Sequence, residues 1–281
     1  MTDRRIAVHP APRASCILFQ VRASFVIAGA LTVVAIVACS TFESEDAPTA
    51  DAGTEAATSD AGGDAATGDA GLLEQGLVAA WLFDEGAGTI AHDHVGGKDG
   101  MFVLNPGWTT GHDGGSALLL HGPDDAGNGD YVLVPASAAL TAALSGTPLT
   151  IAFWLNHAAG VGGSPRVFSW RDSVHLKLNG ERLTFELDGN GAPYWAETSK
   201  VAGKWHHLAA TFAAGEVAIY EDGVKDTLAG QDGAAMTLPV GTNIYIGVGG
   251  DESDFATGAI QSVYLWNRAL SADEIKQVMR W

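Results

Sequence analysis

Cysteine is scarce in this chain. The 281 residues include two cysteines, Cys16 and Cys39, and both precede residue 40. The rest of the chain therefore forms no internal disulfide and has no thiol for nucleophilic catalysis or metal binding. A domain built from these residues depends on its hydrophobic core for stability.

Positive charge is also scarce. The chain has 15 lysines and arginines against 33 aspartates and glutamates, a net charge of −18. Residues 1–39 hold four of the basic residues and one of the acidic ones, which leaves 11 and 32, and a net charge of −21, for the rest. Nucleic acids and anionic membrane surfaces attract basic patches, so the charge argues against both as partners.

The apolar run near the N-terminus is too short for a typical membrane span. It covers residues 24–38, which is 15 residues without a charge, and Arg13 and Arg22 precede it. A spanning helix needs about 20 residues. A positive region followed by a short apolar region and small residues is typical of a secretory signal.

The end of this run, Ile36-Val37-Ala38-Cys39, resembles the lipobox of bacterial lipoproteins. The resemblance implies a signal peptide over 1–38 and lipidation of the Cys39 thiol, which becomes the mature N-terminus. Ser40 follows where Asp would signal retention at the inner membrane, so we expect the outer membrane or cell surface. The alternatives are an ordinary signal peptide and an N-terminal membrane anchor.

Residues 39–72 are predicted to be a disordered acidic linker. They contain two imperfect nine-residue repeats, 51–59 and 60–68, and their large apolar residues are Phe42 and Leu72. So little apolar surface cannot offset the entropy lost on ordering. A calcium-binding β-helix needs a large apolar residue in each turn, so the repeats do not indicate one. A flexible coil of this length has a reach of roughly 30 Å.

Residues 73–281 show short apolar alternations separated by Gly, Asn, Asp and Pro, which predicts an all-β antiparallel sandwich. Ser271 and Glu274 form a capping box that predicts one short C-terminal helix. Asn179-Gly180 and Asp222-Gly223 are typical of hairpin turns. The predicted strands are 77–83, 117–120, 131–134, 149–156, 167–170, 174–178, 183–187, 206–212, 216–221, 244–248 and 260–266.

Five blocks of this region resemble, in order, the laminin-G-like, concanavalin A-like jelly rolls common in bacterial surface proteins. The resemblance implies two antiparallel sheets of six or seven strands, one of them concave. The blocks are 76–88 (GLVAAWLFDEGAG), 116–135 (SALLLHG…YVLVP), 149–155 (LTIAFWL), 204–223 (KWHHLAATF…IYEDG) and 258–275 (GAIQSVYLWNRALSADEI).

The jelly roll also carries glycoside hydrolases, and the laminarinase and lichenase group among them places three carboxylates on one strand in the pattern E-x-D-x-(x)-E. Glu186 and Asp188 match the first two of three carboxylates on one strand, but Asn190 and Gly191 stand where the third would be. No H-E-x-x-H or G-x-S-x-G motif is present. The sequence therefore predicts a binding protein that is not an enzyme.

Alternation along the strands predicts a ligand-binding face. Phe153 and Leu155 would enter the core and Trp154 would point outward among polar side chains, which suits a sugar because its C–H faces stack on aromatic rings. Trp154 packing beneath the loop 189–200 is the alternative, as is an adhesion or envelope-structural domain that binds a surface protein. The predicted ligand residues are Trp154, Asn156, His175, Lys177, Glu186 and His207, with Tyr194 and Trp195 of that loop at the rim.

The family resemblance further implies a structural Ca²⁺ site. Its ligands would be Asp84 or Glu85, the loop 93–100 with Asp93, and Gln261. Ca²⁺ takes six to eight oxygen ligands. The family pattern has Asp-Asp where this chain has Gln261-Ser262, and Lys98 lies within the loop, so ordinary Asp-rich surface loops are the alternative.

Overall fold

The computed structural model describes residues 68–144, 148–160, 163–170, 174–187, 194–213, 215–226 and 242–281. For residues 68–70 and 194–200 it describes only the backbone. The predicted signal peptide, Cys39 and the linker up to residue 67 lie outside these residues, as does Asp188. Among the described helices, none combines the length and the hydropathy that crossing a membrane requires.

The described strands number sixteen. They are β1 (Leu77–Trp81), β2 (Ile90–Ala91), β3 (Gly100–Val103), β4 (Gly107–Thr110), β5 (Ser116–His121), β6 (Tyr131–Val134), β7 (Leu149–His157), β8 (Arg166–Trp170), β9 (Val174–Asn179), β10 (Arg182–Leu187), β11 (Tyr194–Lys200), β12 (His206–Ala213), β13 (Glu216–Glu221), β14 (Val224–Lys225), β15 (Ile244–Ile246) and β16 (Thr257–Trp266). The described helices are α1 (Gly68–Glu74), α2 (Ala138–Leu144) and α3 (Ala272–Val278).

The strands form two eight-stranded antiparallel sheets. Sheet one has the order β14-β13-β12-β7-β16-β5-β4, with β1 also paired to β16. Sheet two has the order β11-β10-β9-β8-β15-β6-β3-β2. The predicted antiparallel sandwich is thus confirmed. Each sheet exceeds the expected six or seven strands because the short strands β2, β3, β4 and β14 extend the edges.

One core lies between the two sheets. Phe153 and Leu155 of sheet one and Leu176 and Phe185 of sheet two are all at most 2% exposed and belong to the same cluster of buried side chains. Burying such side chains is the main favourable term of folding, at about 25 cal/mol per Å² of apolar surface. The alternate residues on these strands therefore point away from the core, onto two separate outer faces.

The two predicted hairpin turns differ in detail. Asp222 (φ 50°) and Gly223 (φ 77°) are both left-handed between Glu221 and Val224, as a type I′ turn requires. The other turn lies one residue later than the Asn-Gly pair indicates. Asn179 pairs with Arg182, so Gly180 (φ 65°) and Glu181 form the turn.

Helices cover part of the outer face of sheet one. Ile275 and Val278 of α3 and Leu73 of α1 are buried there against Trp266. The capping box of α3 is confirmed, since Ser271 Oγ accepts from Glu274 N and Glu274 Oε2 accepts from Ser271 N. Residues 68–72, at the end of the predicted linker, belong to α1.

Candidate functional site

The predicted ligand residues lie on two different sheets. Trp154 and Asn156 are on β7 and His207 is on β12, all on the outer face of sheet one. His175, Lys177 and Glu186 belong to β9 and β10 of sheet two. Because the core separates the two outer faces, the structure does not bring these groups together into one site.

Tyr194 and Trp195 also belong to sheet two. They were expected in a loop, but they begin strand β11, where Tyr194 pairs with Leu187 and Trp195 pairs with Glu186. That places them beside the predicted ligand residues of sheet two and away from Trp154. The expectation that the segment 189–200 forms a loop over Trp154 is therefore wrong for residues 194–200.

The predicted ligand residues of sheet two, His175, Lys177 and Glu186, are largely occupied by contacts within their own sheet. Lys177 Nζ forms an ion pair with Glu186 Oε2. His175 is only 3% exposed, and its Nδ1 lies 3.2 Å from Ser169 Oγ. A side chain that points away from the core is thus not necessarily accessible to a ligand.

The sheet-one group is part of an aromatic cluster, which we call the Trp154 cluster: His112, Trp154, Trp205, His207 and Gln261. The imidazole of His112 stacks on the indole of Trp154, with ring centroids 3.9 Å apart and planes at 13°. Trp205 meets His112 edge-on at 6.3 Å, and His207 meets Trp154 edge-on at 5.4 Å. Trp154, Trp205 and His112 are each half-buried, so their rings remain partly open to solvent.

The side-chain amide of Gln261 fixes His112 over Trp154. Gln261 lies opposite Trp154 in the β16–β7 pairing. Its Oε1 accepts from the backbone N of His112 at 2.9 Å and from His112 Nδ1 at 2.7 Å. Its Nε2 donates to Asp113 Oδ1 at 3.1 Å, which fixes the orientation of the amide. His112 therefore carries its proton on Nδ1, because an amide oxygen can only accept.

Two backbone features permit this arrangement. One extra residue in β16 between Gln261 and Tyr264 forms a β-bulge with Ser262 at φ 55°, so both flanking side chains point outward. Gly111 precedes His112, and a Cβ on it would lie 2.3 Å from Gln261 Oε1. Only glycine lets the hairpin between β4 and β5 come this close to Gln261.

The shifted pKa values of His207 in the cluster and of its neighbour Asp113 favour a neutral imidazole and a charged carboxylate. Burial lowers the pKa of His207 to about 4, against the opposing effect of the Asp222 charge. Its ring has no hydrogen-bond partner among the described residues. The hydrogen bond from Gln261 and that from the backbone of Gly115 lower the pKa of Asp113. At neutral pH the exposed carboxylate of Asp113 thus lies beside the three half-buried rings of the cluster.

Sequence reasoning missed three members of this surface. His112 and Asp113 lie in the H-D-G-G turn between β4 and β5, and β4 was not predicted. Trp205 lies in the block 204–223, where it served only for the family resemblance. A turn with a polar pair followed by two glycines is a signal that could have directed attention to residues 112–115.

The residues expected to bind calcium fit that ion poorly. The carboxylate of Asp93 is buried and accepts from four backbone N–H groups, those of Ala80, Val95, Gly96 and Lys98, at 2.9–3.1 Å. A carboxylate offers about four lone-pair positions, so these bonds occupy Asp93 fully. The ammonium of Lys98 lies 3.7 Å from Asp93 Oδ2 and supplies the positive charge itself.

The other two expected metal ligands have separate surroundings. Gln261 is engaged with His112 and Asp113, as described above. Asp84 is exposed, and its Oδ1 lies 3.8 Å from His94 Nε2. Nearby Glu85 uses Oε1 to accept from His92 N at 2.7 Å. The described contacts therefore do not assemble these residues into a common oxygen cage.

A groove of about 480 Å³ with mainly apolar walls lies on the outer face of sheet one, between β1, β16 and the C-terminal residue. Tyr264 and Trp281 pack there with ring centroids 5.6 Å apart. The groove is lined by Glu74, Leu77, Ala80, Leu82, His94, Val95, Tyr264 and Trp281.

Comparisons with solved structures support the fold. The binding domain of Paraclostridial Mosquitocidal Protein 1 aligns with a TM-score of 0.59 and 14% identity, over 73% of this chain and 52% of that one. Domain 4 of AbnA, a GH43 extracellular arabinanase from Geobacillus stearothermophilus solved with arabinotriose, aligns with a TM-score of 0.55 and 16% identity, over 72% and 97%. Botulinum neurotoxin type C, in a structure concerned with its interaction with two ganglioside molecules, aligns with a TM-score of 0.60 and 14% identity, over 75% and 52%.

The chain thus spans about half the length of the mosquitocidal and neurotoxin chains that it matches. No curated protein sequence matches it. One family model, described as the Concanavalin A-like lectin/glucanases superfamily, matches residues 126–276, which is more than half of the chain. The eight-on-eight antiparallel sandwich and this match together show that the chain belongs to the concanavalin A-like lectin/glucanases superfamily.

Proposed function

We propose that this protein is a non-catalytic carbohydrate-binding protein, attached to the cell envelope at the outer membrane or cell surface by a lipid on Cys39. The observation that carries the binding function is the Trp154 cluster with its neighbour Asp113. Half-buried rings give the apolar surface on which a sugar stacks, and Asp113 and Asn156 beside them supply polar atoms for its hydroxyl groups.

Two further observations support this proposal. Domain 4 of the arabinanase, which shares the fold over 97% of its length, was solved with arabinotriose. Glu186, the carboxylate nearest to a glycosidase pattern, is paired with Lys177 and lies on the other sheet, away from the Trp154 cluster. Glycoside hydrolysis needs a pair of carboxyl groups flanking the bond, so the cluster is suited to binding rather than cleavage.

The test is a glycan array followed by calorimetric titration of the best ligand. We expect Trp205→Ala and Asp113→Asn each to weaken binding at least tenfold, which corresponds to about 1.4 kcal/mol. Trp108→Ala is the matched control, because Trp108 is also half-buried but packs against Phe102 on the core side. Glu186→Gln tests the opposite face. Binding that survives both cluster variants but is lost in Glu186→Gln would place the site on sheet two.

A second candidate function is binding of an envelope protein, and the apolar groove favours it. Leu77, Leu82 and Val95 together with Trp281 offer a surface into which an apolar side chain of a partner would fit. Leu82→Glu would then abolish recovery of a stoichiometric partner from solubilised envelopes while leaving glycan binding intact. Recovery of the same partner by Leu82→Glu would exclude the groove.

A further inference from the structure

Three side chains of types that can bind metal ions converge at the open end of the β12–β13 hairpin. His206 Nδ1 lies 3.2 Å from Glu221 Oε1 and 3.0 Å from Asp222 Oδ2. One ligand atom from each of the three residues lies within 4.8 Å of the others. Two ligands about 2.1 Å from one ion, at angles of 90–110°, are about 3.0–3.4 Å apart, so these separations suit a shared metal ion.

The backbone holds these groups in place. Glu221 is the last residue of β13, opposite Leu208, and Asp222 is the first residue of the type I′ turn. Asp222 N donates to His207 O at 2.8 Å, and Asp222 Oδ1 accepts from His207 N at 3.0 Å. One carboxylate oxygen of Asp222 is thus fixed by the neighbouring strand while the other faces His206, the arrangement in which a supporting hydrogen bond orients a metal ligand.

The charges at this point favour a cation. The imidazole nitrogen Nδ1 of His206 faces the carboxylates of both Glu221 and Asp222. One oxygen of each carboxylate lies within 4.8 Å of the other, so the two negative charges repel each other. A divalent cation between them and the imidazole nitrogen would offset both charges.

We propose that His206, Glu221 and Asp222 bind one divalent transition-metal ion of the zinc class. An imidazole nitrogen with two carboxylates suits zinc, whereas calcium prefers an all-oxygen shell. The side chain of His206 is 2% exposed, that of Glu221 17% and that of Asp222 46%, so the ion enters from the Asp222 side. Water completes its coordination there. This proposal is independent of carbohydrate binding.

The test is a calorimetric titration of the full chain with zinc chloride after chelator treatment, with metal content measured on the dialysed protein. Cys16→Ser and Cys39→Ser are included throughout so that thiols cannot bind the metal. We expect one zinc per chain, with a dissociation constant in the micromolar range or tighter. We also expect a higher midpoint of thermal unfolding with zinc, and no response to calcium.

The variants Asp222→Asn and Glu221→Gln decide whether the ion binds here. Asn-Gly is a preferred type I′ pair, so Asp222→Asn keeps the turn while removing one ligand charge. We expect both variants to weaken zinc binding at least tenfold. Glu216→Gln, an exposed position on the same strand, is the matched control and should bind as the parent chain does. Equal binding by all four proteins, or no binding by the parent, would overturn the proposal.

Discussion

The ammonium of Lys98 lies 3.7 Å from the buried carboxylate of Asp93 and donates to the backbone oxygen of Val78 at 2.9 Å. We therefore expect Lys98→Met to destabilise the domain, because Asp93 would then be a buried charge without a counter-charge. Removing one partner of a buried ion pair costs about 3–5 kcal/mol, and the four N–H bonds that remain on Asp93 place this case at about 3 kcal/mol. Urea unfolding measures the difference.

Lys276→Met is the control for this prediction, because Lys276 pairs with Asp273 at the surface and such pairs contribute about 0–1 kcal/mol.

The unfolding midpoint of the parent chain should not change between chelator and millimolar calcium. Calcium-dependent stabilisation of the parent chain would show that the Asp93 loop binds the ion despite Lys98.

His207 should make the domain less stable in acid. Its pKa is lowered from 6.5 to about 4 by burial, so the unfolded chain takes up the proton at a higher pH than the folded chain does. The folded state that holds His207 as a neutral ring therefore has its full stability above pH 6.5. It loses stability as the pH falls from 6.5 to 4, because the unfolded chain is protonated first. This loss of stability amounts to at most about 3.5 kcal/mol, since one pKa unit corresponds to about 1.4 kcal/mol.

The measurement is the free energy of unfolding across this pH range for the parent chain and for His207→Gln, which does not titrate. We expect the variant to lose less stability between pH 7 and pH 4. Burial also lowers the pKa of His157, so part of the slope should remain in the variant. Identical slopes would show that His207 is not buried as a neutral ring.

Local patterns predicted the fold well because each depends on neighbouring residues. Alternation located strands such as Tyr131–Val134 and Glu216–Glu221 at their observed bounds, and Ser271 with Glu274 located the start of α3. The short strands β2, β3, β4 and β14 were missed, because alternation over two to four residues is a weak signal. Strand β11 was missed for another reason, since its polar sequence resembles a loop.

The candidate site depended on pairings between distant residues, and these could not be predicted. Trp154 and His175 were assigned to one face because both point away from a core. Which sheet a strand joins is decided by partners far along the chain, as when β7 pairs with β16 and β8 pairs with β15. Gln261 lies beside Trp154 for the same reason, and its partner His112 is 149 residues away.

Gly111→Ala should weaken carbohydrate binding without removing any group that touches the ligand. The added Cβ would lie 2.3 Å from Gln261 Oε1, so the turn that carries His112 and Asp113 must move. We expect a loss of about 1–3 kcal/mol in stability, typical of overpacking, together with weaker binding of the glycan identified on the array.

The control for Gly111→Ala is Gly71→Ala, because a Cβ at Gly71 meets no atom within 4 Å. It should leave affinity unchanged and should not lower stability, because Gly71 lies in α1 and Ala is favoured over Gly in a helix. If Gly111→Ala binds the glycan as tightly as the parent chain does, the position of His112 over Trp154 has no part in recognition. The ligand would then have to be sought elsewhere on the outer faces.

Cys39→Ser should release the protein from the membrane fraction. The proposed anchor is a lipid on this thiol, and a serine hydroxyl cannot form the same thioether. Cells grown with an alkyne-tagged fatty acid should label the parent protein, and Cys39→Ser should be unlabelled. Cys16→Ser is the matched control, because Cys16 precedes the apolar run and should leave labelling and membrane association unchanged. Membrane association of an unlabelled Cys39→Ser protein would favour an N-terminal membrane anchor, whereas an unlabelled parent that is secreted would favour an ordinary signal peptide.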